Sequence, residues 1–483
     1  MGLWSKKSIE RCYQDAEGWP YNLQRTLSSG QLVLMGIGAI IGAGLFSITG
    51  VAAAQNAGPA ILISFLLAAI GCAFAGLCYS EIASMIPVSG SAYTYAYATL
   101  GEFIAWIIGW DLILEYAIGT SCVAISWSAY LVSFLYDLGI FLPPQFLASP
   151  WQPVLLPDGT NVYGIINLPA FLIVALSSAV LILGVNKSAL VNALLVILKL
   201  CVVVIFVALG YSYINQENYH PFIPENTGVF GEFGWSGILR GAGVVFFAYI
   251  GFDAVSTMAQ ETKNPQRAVP VGILGSLCIC TILYIVFAYV LTGMVNYQDL
   301  NNPAPVALAI AQTPYVWLNG LVKLAVLCGL TSVMLVMLLG QSRIFYCMAR
   351  DGLLPRQWSK IHPRFRTPWL SNLILLFFVG AFGAFSPIAL VGEMTSIGTL
   401  LAFVLVCIGV MILRKKQPHV HRSFKLPLYP LTPLLGIAVC LAMMLGLGVD
   451  NWLRLLFWLA IGMVIYFGYG KKNSIYKDRP KSR

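Results

Sequence analysis

The run Gly36-Ile37-Gly38-Ala39-Ile40-Ile41-Gly42-Ala43-Gly44-Leu45-Phe46 has no nucleophile, acid or metal ligand, yet it offers chemistry through its backbone. It lies within a segment apolar enough to cross a bilayer, and its glycine spacing undermines continuous helix there. Irregular backbone at that depth survives only where it is buried in protein or lines a cavity. A helix that restarts after the interruption presents free amides and about half an elementary positive charge. The amides of Ala43, Gly44 and Leu45 are therefore placed to face an anion such as a carboxylate, and Gly42 and Gly44 let a ligand come close. The competing reading is small-residue packing between helices. A nucleotide loop fits poorly, because no strand precedes the run and the spacing is GxGxxxG.

Side chains with chemistry are few and sit among apolar neighbours. Lys199 lies about nine residues from one end of its run, roughly 13 Å deep, too far for full snorkelling. Burial at that depth disfavours its charged form, so it can exchange a proton or serve as a fixed cation. Asp253 follows a second interruption, Phe246-Phe247-Ala248-Tyr249-Ile250-Gly251-Phe252, and is a candidate for a proton network or a helix cap. Glu115 and Gly119, one turn apart, share a helix face. Glu115 can meet a cationic side chain or anchor its helix. Glu81, Asp111 and Glu393 read as packing or loop anchors, and Arg343 as an interface or gate residue. Thr331, Met334 and Met337 are candidates for a distal pocket or for plain packing. The four histidines fall in loops, and no HExxH, Walker or serine-elbow motif occurs, which argues against an enzyme.

The elements that must hold these residues are membrane helices. The 483-residue chain is 59% hydrophobic and 10% charged, against about a quarter charged in soluble domains. Apolar runs near 30–53, 60–84, 103–135, 166–184, 190–213, 236–258, 269–294, 315–342, 370–386, 388–413, 427–449 and 451–470 predict about twelve spans. Their length excludes a membrane barrel. All but four of the 28 Lys and Arg residues (Lys199, Arg240, Lys323 and Arg454) fall on one side if both termini are cytoplasmic, as the positive-inside rule requires. The net charge of +9 follows from that sorting and from contact with anionic headgroups, and calls for no nucleic acid. The eleven cysteines show no metal-type clustering, and the polar residues 1–27 do not resemble a signal peptide. Breaks in spans one and six, which run in opposite directions, suggest inverted repeats.

Four sequence pieces carry a family resemblance. They are the span-one glycine run; Tyr79-Ser80-Glu81-Ile82-Ala83 with Pro87-Val88-Ser89-Gly90-Ser91-Ala92-Tyr93; Gly109-Trp110-Asp111-Leu112-Ile113-Leu114-Glu115-Tyr116; and Phe252-Asp253 through Glu261-Thr262-Lys263-Asn264-Pro265-Gln266-Arg267. On these the chain resembles the amino acid-polyamine-organocation (APC) superfamily and, within it, bacterial-type members of the cationic amino acid transporter family. The resemblance covers most of residues 30–415.

It implies an all-α integral membrane fold of the leucine-transporter type, with five plus five inverted helices and broken first and sixth helices. The divisions are a tail at 1–27, repeats at 28–215 and 216–415, helices eleven and twelve at 416–470, and a basic tail at 471–483. It further implies a mid-membrane site between spans one, three, six and eight. There the carbonyls of Ile40, Phe247, Ala248 and Ile250 accept from a substrate ammonium, Phe247 covers the substrate with Phe252 nearby, and Met337 shortens the distal pocket. Lys199 resembles a lysine that stands in place of a sodium ion in this superfamily. The expected activity is proton-coupled import of L-amino acids, cationic or small and neutral such as alanine, across the plasma membrane. No cofactor and no metal is expected, only protons as coupling ion. An exchanger, a polyamine carrier, and a sensor or channel are the alternatives. Whether a small membrane subunit docks against the chain is not written in the sequence.

Overall fold

The computed structural model describes residues 5–7, 27–86, 91–150, 152–155, 161–183, 188–259, 262–302, 304–365 and 367–475. Most of the expected N-terminal tail, the motif residues Pro87–Gly90 and Glu261, and the end of the basic tail lie outside them.

Among the described residues the regular structure is helical, apart from a short antiparallel hairpin pairing Pro153–Leu155 with Asn161–Tyr163 and an isolated bridge between Leu27 and Thr262. Its principal helices are α1 (Ser29–Ile40), α2 (Ile61–Met85), α3 (Glu102–Asp137), α4 (Leu168–Leu183), α5 (Ser188–Gly210), α6 (Gly234–Val245), α7 (Pro265–Met294), α8 (Val316–Arg350), α9 (Trp369–Phe385), α10 (Ile388–Lys416), α11 (Leu431–Gly446) and α12 (Val449–Ile465). Among the described residues, eight segments are long and apolar enough to cross a membrane, and α1, α4, α9 and α11 are shorter apolar helices. Apolar side chains such as Leu66, Leu172, Val204 and Phe457 stand exposed around the bundle, as a hydrocarbon solvent allows.

Local sequence sets the ends of these elements. Ser28 and Gln31 form a capping box at the start of α1. Pro265 opens α7 at a position where its missing N–H costs nothing. Within α3, residues Leu114–Ile118 form a π turn, a feature that recurs at functional sites. The core packs α7 against α1 and α2, α8 against the later part of α3, and α10 against the π turn. A helix at Ser91–Thr99 lies across the end of the bundle that carries both termini.

Candidate functional site

Two interruptions meet at the centre of this packing. Helix α1 stops at Ile40; Ile41 turns extended (φ −72°, ψ 104°), and helical turns resume at Gly44–Ile48. Opposite, α6 tightens into a 3₁₀ turn at Phe246–Tyr249 and breaks at Ile250 (ψ 137°) and Gly251 (φ +113°), before Ala254–Thr257. Glycine is required at both breaks. A Cβ on Gly44 would meet the Ala248 Cβ at 2.6 Å, and one on Gly251 would lie 2.9 Å from the Ala39 carbonyl oxygen.

The backbone groups released at the breaks have definite partners. The Gly38 and Ile41 carbonyls accept from Lys199 Nζ, the latter at 3.0 Å. The Ile40 and Ala248 carbonyls both face the Tyr284 hydroxyl, at 3.0 and 2.8 Å. The Phe247 carbonyl accepts from the Ile250 amide at 3.2 Å, and the Gly42 carbonyl from the Leu45 and Phe46 amides at 3.1 and 3.2 Å. The amides of Ala43 and Gly44 find no backbone acceptor among the described residues. They point from the start of a helical segment, where an anion is favoured.

Lys199 is completely buried on α5. Its ammonium sits at the carbonyl end of α1, where a cation meets the negative pole of the helix dipole. Asp253, also fully buried, accepts from the Tyr116 hydroxyl and, at 3.2 Å, from the Ser91 hydroxyl. Glu115 lies in the π turn of α3 beside Asp253 and Thr399. Neither of its oxygens completes a hydrogen bond among the described residues. One turn further along, a Cβ on Gly119 would stand 3.3 Å from the Thr395 methyl and 3.8 Å from the Met337 sulfur, so that end of the region is apolar. Phe247 is 4% exposed, while Phe252 is wholly buried in a cluster with Tyr79 and Phe403, ring centroids 5.8 and 5.0 Å away.

Residues 27–469, nearly the whole of this helical bundle, match the family model of amino acid permeases. The chain belongs to the amino acid permease family. The permease is 44% identical to the branched-chain amino acid permease BcaP of Bacillus subtilis over 98% of both chains. It is 40% identical to the methylthioribose transporter of the same organism, over 98% of this chain and 99% of that one. A vacuolar cationic amino acid transporter 4 of Arabidopsis thaliana is 37% identical over 86% of this chain and 67% of its own length. These relatives are carriers rather than enzymes, in keeping with the missing catalytic motifs.

The permease's sequence-predicted site residues fall on the elements that meet here. Ile40, Gly42, Ala43, Gly44 and Leu45 line one break, and Phe247, Ala248, Ile250, Phe252 and Asp253 the other. Lys199 reaches the first break from α5, Glu115 and Gly119 share a face of α3, and Met337 approaches Gly119 from α8. Sequence reasoning missed Tyr284, the residue that touches both breaks. It also missed Tyr116, Ser91 and Tyr130, whose hydroxyl donates to the Phe46 carbonyl at 2.6 Å. For the three tyrosines, a phenol inside an apolar run is the signal, since a buried phenol needs an acceptor.

Proposed function

We propose that this permease is a proton-coupled importer of L-amino acids with neutral aliphatic side chains. It works by alternating access through a twelve-span, five-plus-five inverted-repeat fold whose divisions follow those expected from the sequence. The end of the bundle carrying the termini is cytoplasmic, and the host bilayer is the plasma membrane. The observation that carries this reading is the pair of facing breaks. The Ala43 and Gly44 amides, which have no backbone acceptor among the described residues, open the outer helical segment and supply a carboxylate site. The Ile40 and Ala248 carbonyls share a hydroxyl with a single proton and so keep acceptor capacity for an ammonium.

The thioether and methyl groups around Gly119 favour an uncharged side chain, which agrees with the branched-chain relative. They argue against the cationic substrates of the plant relative. Protonated, Lys199 ties the Gly38 and Ile41 carbonyls to α5 through charge-assisted bonds, the stronger class of hydrogen bond. Deprotonated, it holds them more weakly, and the end of α1 is freed to move. Substrate release and proton release then become one event.

Purified protein in a thermal-shift panel of leucine, valine, alanine, arginine and methylthioribose tests the substrate class. Leucine and valine are expected to stabilise it most. Methylthioribose, the second reading favoured by the 40% identical relative, lacks both charged groups; stabilisation by that compound alone would overturn the zwitterion site. In proteoliposomes an inward acid gradient is expected to drive uptake by the wild type and to fail in Lys199→Ala. Unchanged gradient-driven uptake in that variant would sink the coupling role.

A further inference from the structure

Most of the acids enclosed by this bundle are answered by other groups, and Asp253 by two hydroxyls on one oxygen. Glu81 is answered by Arg414 at 2.5 Å, Arg422 at 3.3 Å and the Leu426 amide at 2.9 Å. Glu393 is answered by Arg240 at 3.0 Å and Arg454 at 3.3 Å, and Asp351 by Lys7 at 3.1 Å. Glu102 accepts from Tyr97, Tyr466 and Ser474 at 2.9, 3.0 and 2.5 Å. Asp111 and Glu115, four residues apart on α3 and 1% and 0% exposed, differ. None of their four carboxyl oxygens has a hydrogen-bond partner among the described residues.

A structural anchor would not be built this way. An unpaired ionised carboxylate in a dry interior is prohibitively costly, so such a group is held protonated or reached by water. The surroundings of Asp111 are shaped for its carboxyl. A Cβ on Gly398 of α10 would come 3.1 Å from Asp111 Oδ1 and 2.8 Å from Leu114 Cδ1, so any side chain there presses on the acid. Further polar atoms without a hydrogen-bond partner among the described residues lie on the helices that pack against this stretch. The Ser396 hydroxyl lies on α10, and the Gln341 amide lies beside the α8 glycine that packs on Tyr116. Both residues are buried, and water in such a place makes the hydrogen bonds that the protein does not.

We infer that Asp111 is a proton acceptor on the cytoplasmic side of the site, receiving from Glu115 the proton that enters with substrate. This rests on the proton-coupled reading above. In the step, Asp111 first gives its own proton to water that reaches it from the cytoplasmic side, and the O–H bond on Glu115 then breaks as a new one forms on Asp111. Glu115 is left ionised, to be reprotonated from the Asp253 side, and Asp111 is again protonated.

The charged groups around Asp111 suit that direction. On its own helix it meets Glu115, and beyond that Asp253 from the second break. Helix α10 carries Glu393, paired with Arg240 and Arg454, toward the far end and, toward the termini, no charge before Arg414, which pairs with Glu81; α8 brings Arg343 and Cys347 nearer the cytoplasmic end. The Ser91–Thr99 helix brings Tyr93 and Tyr97, and α12 brings Tyr466. These phenols are bound to Asp351 and Glu102.

The test is Asp111→Asn in proteoliposomes, read by net uptake under an inward acid gradient, by substrate-for-substrate exchange, and by the substrate-induced thermal shift. Net uptake is expected to fall on the order of tenfold or more, with exchange and thermal shift retained. Asp111→Glu is expected to restore uptake. Unchanged net uptake in the asparagine variant overturns the inference, and so does a parallel loss of uptake and exchange in folded protein. If Asp111→Asn does not fold, Gly398→Ala, which displaces the carboxyl from its niche, must give the same split, and unchanged net uptake there overturns the assignment. A wild type that accumulates substrate with no response to the gradient defeats proton coupling itself, before any variant is compared.

Discussion

Tyr284 does at residue scale what neither break can do alone. Its hydroxyl stands between the carbonyls of Ile40 and Ala248, and its ring packs on Tyr249 and Phe65 with centroids 5.3 and 5.6 Å apart. Phenylalanine would keep the ring and remove a donor shared by two buried carbonyls. Tyr284→Phe is therefore expected to lower ligand-free stability by about 1–3 kcal/mol, the cost of leaving buried acceptors unpaired. If the substrate ammonium binds these same carbonyls, it now fills a vacant role, and the substrate-induced rise in melting temperature should grow. A drop in ligand-free stability with no larger substrate response would place the ammonium elsewhere.

At the scale of elements, the breaks depend on backbone shape as much as on side chains. Gly251 has φ +113° and no room for a Cβ beside the Ala39 carbonyl, so Gly251→Ala sets a strained conformation against a direct clash. A loss of roughly 1–3 kcal/mol from strain alone, together with loss of substrate binding, is expected in thermal melts. Gly468→Ala, where a Cβ meets nothing within 4 Å, is the control. Equal melting temperatures for the two variants would refute the argument. The first break was legible in the sequence because four glycines in nine residues cannot make a stable buried helix for nothing. The second was harder to read, since Phe246–Tyr249 look like ordinary apolar helix and only Gly251 and Asp253 mark the change. The π turn at Leu114–Ile118 left no sequence signal. Its residues are good helix formers, and the bulge reflects packing against α10. The partners of Asp253 were equally hidden: Ser91 and Tyr116 are 162 and 137 residues away in sequence, and only the packed bundle joins them.

Across the whole molecule, the same Ser91 links the site to the tails. The helix Ser91–Thr99 begins with the Ser91–Asp253 hydrogen bond and ends under residues 5–7. There the Lys7 amide donates to the Tyr97 carbonyl at 3.2 Å and the Glu102 amide to the Ser5 carbonyl at 2.9 Å. Lys7 Nζ meets Asp351 at the end of α8, 3.1 Å away, with side chains only 9% and 3% exposed. Tyr93 donates to the other oxygen of Asp351 at 2.8 Å, and the Ile475 amide to its carbonyl at 3.3 Å. The Asp351 carboxylate thus gathers the N-terminal tail and the crossing helix at the end of α8, and its backbone carbonyl holds the C-terminal tail. Removing one partner of a buried ion pair costs about 3–5 kcal/mol where the pair is fully dry, and the charge left on Lys7 is relieved most cheaply by leaving for water. Asp351→Asn should therefore free residues 5–7 and uncover the crossing helix from the side of the termini. A single cysteine at Ala98, 7% exposed in this structure, placed in a background without the native cysteines, should then react faster with a membrane-impermeant thiol reagent applied to that side. Lys7→Met, which removes the charge and keeps the stem, should leave Ala98 more protected than Asp351→Asn does, because no buried cation remains to be expelled. Equal labelling rates in the wild type and both variants would mean that the tails merely rest on the bundle and do not hold the crossing helix against Asp253.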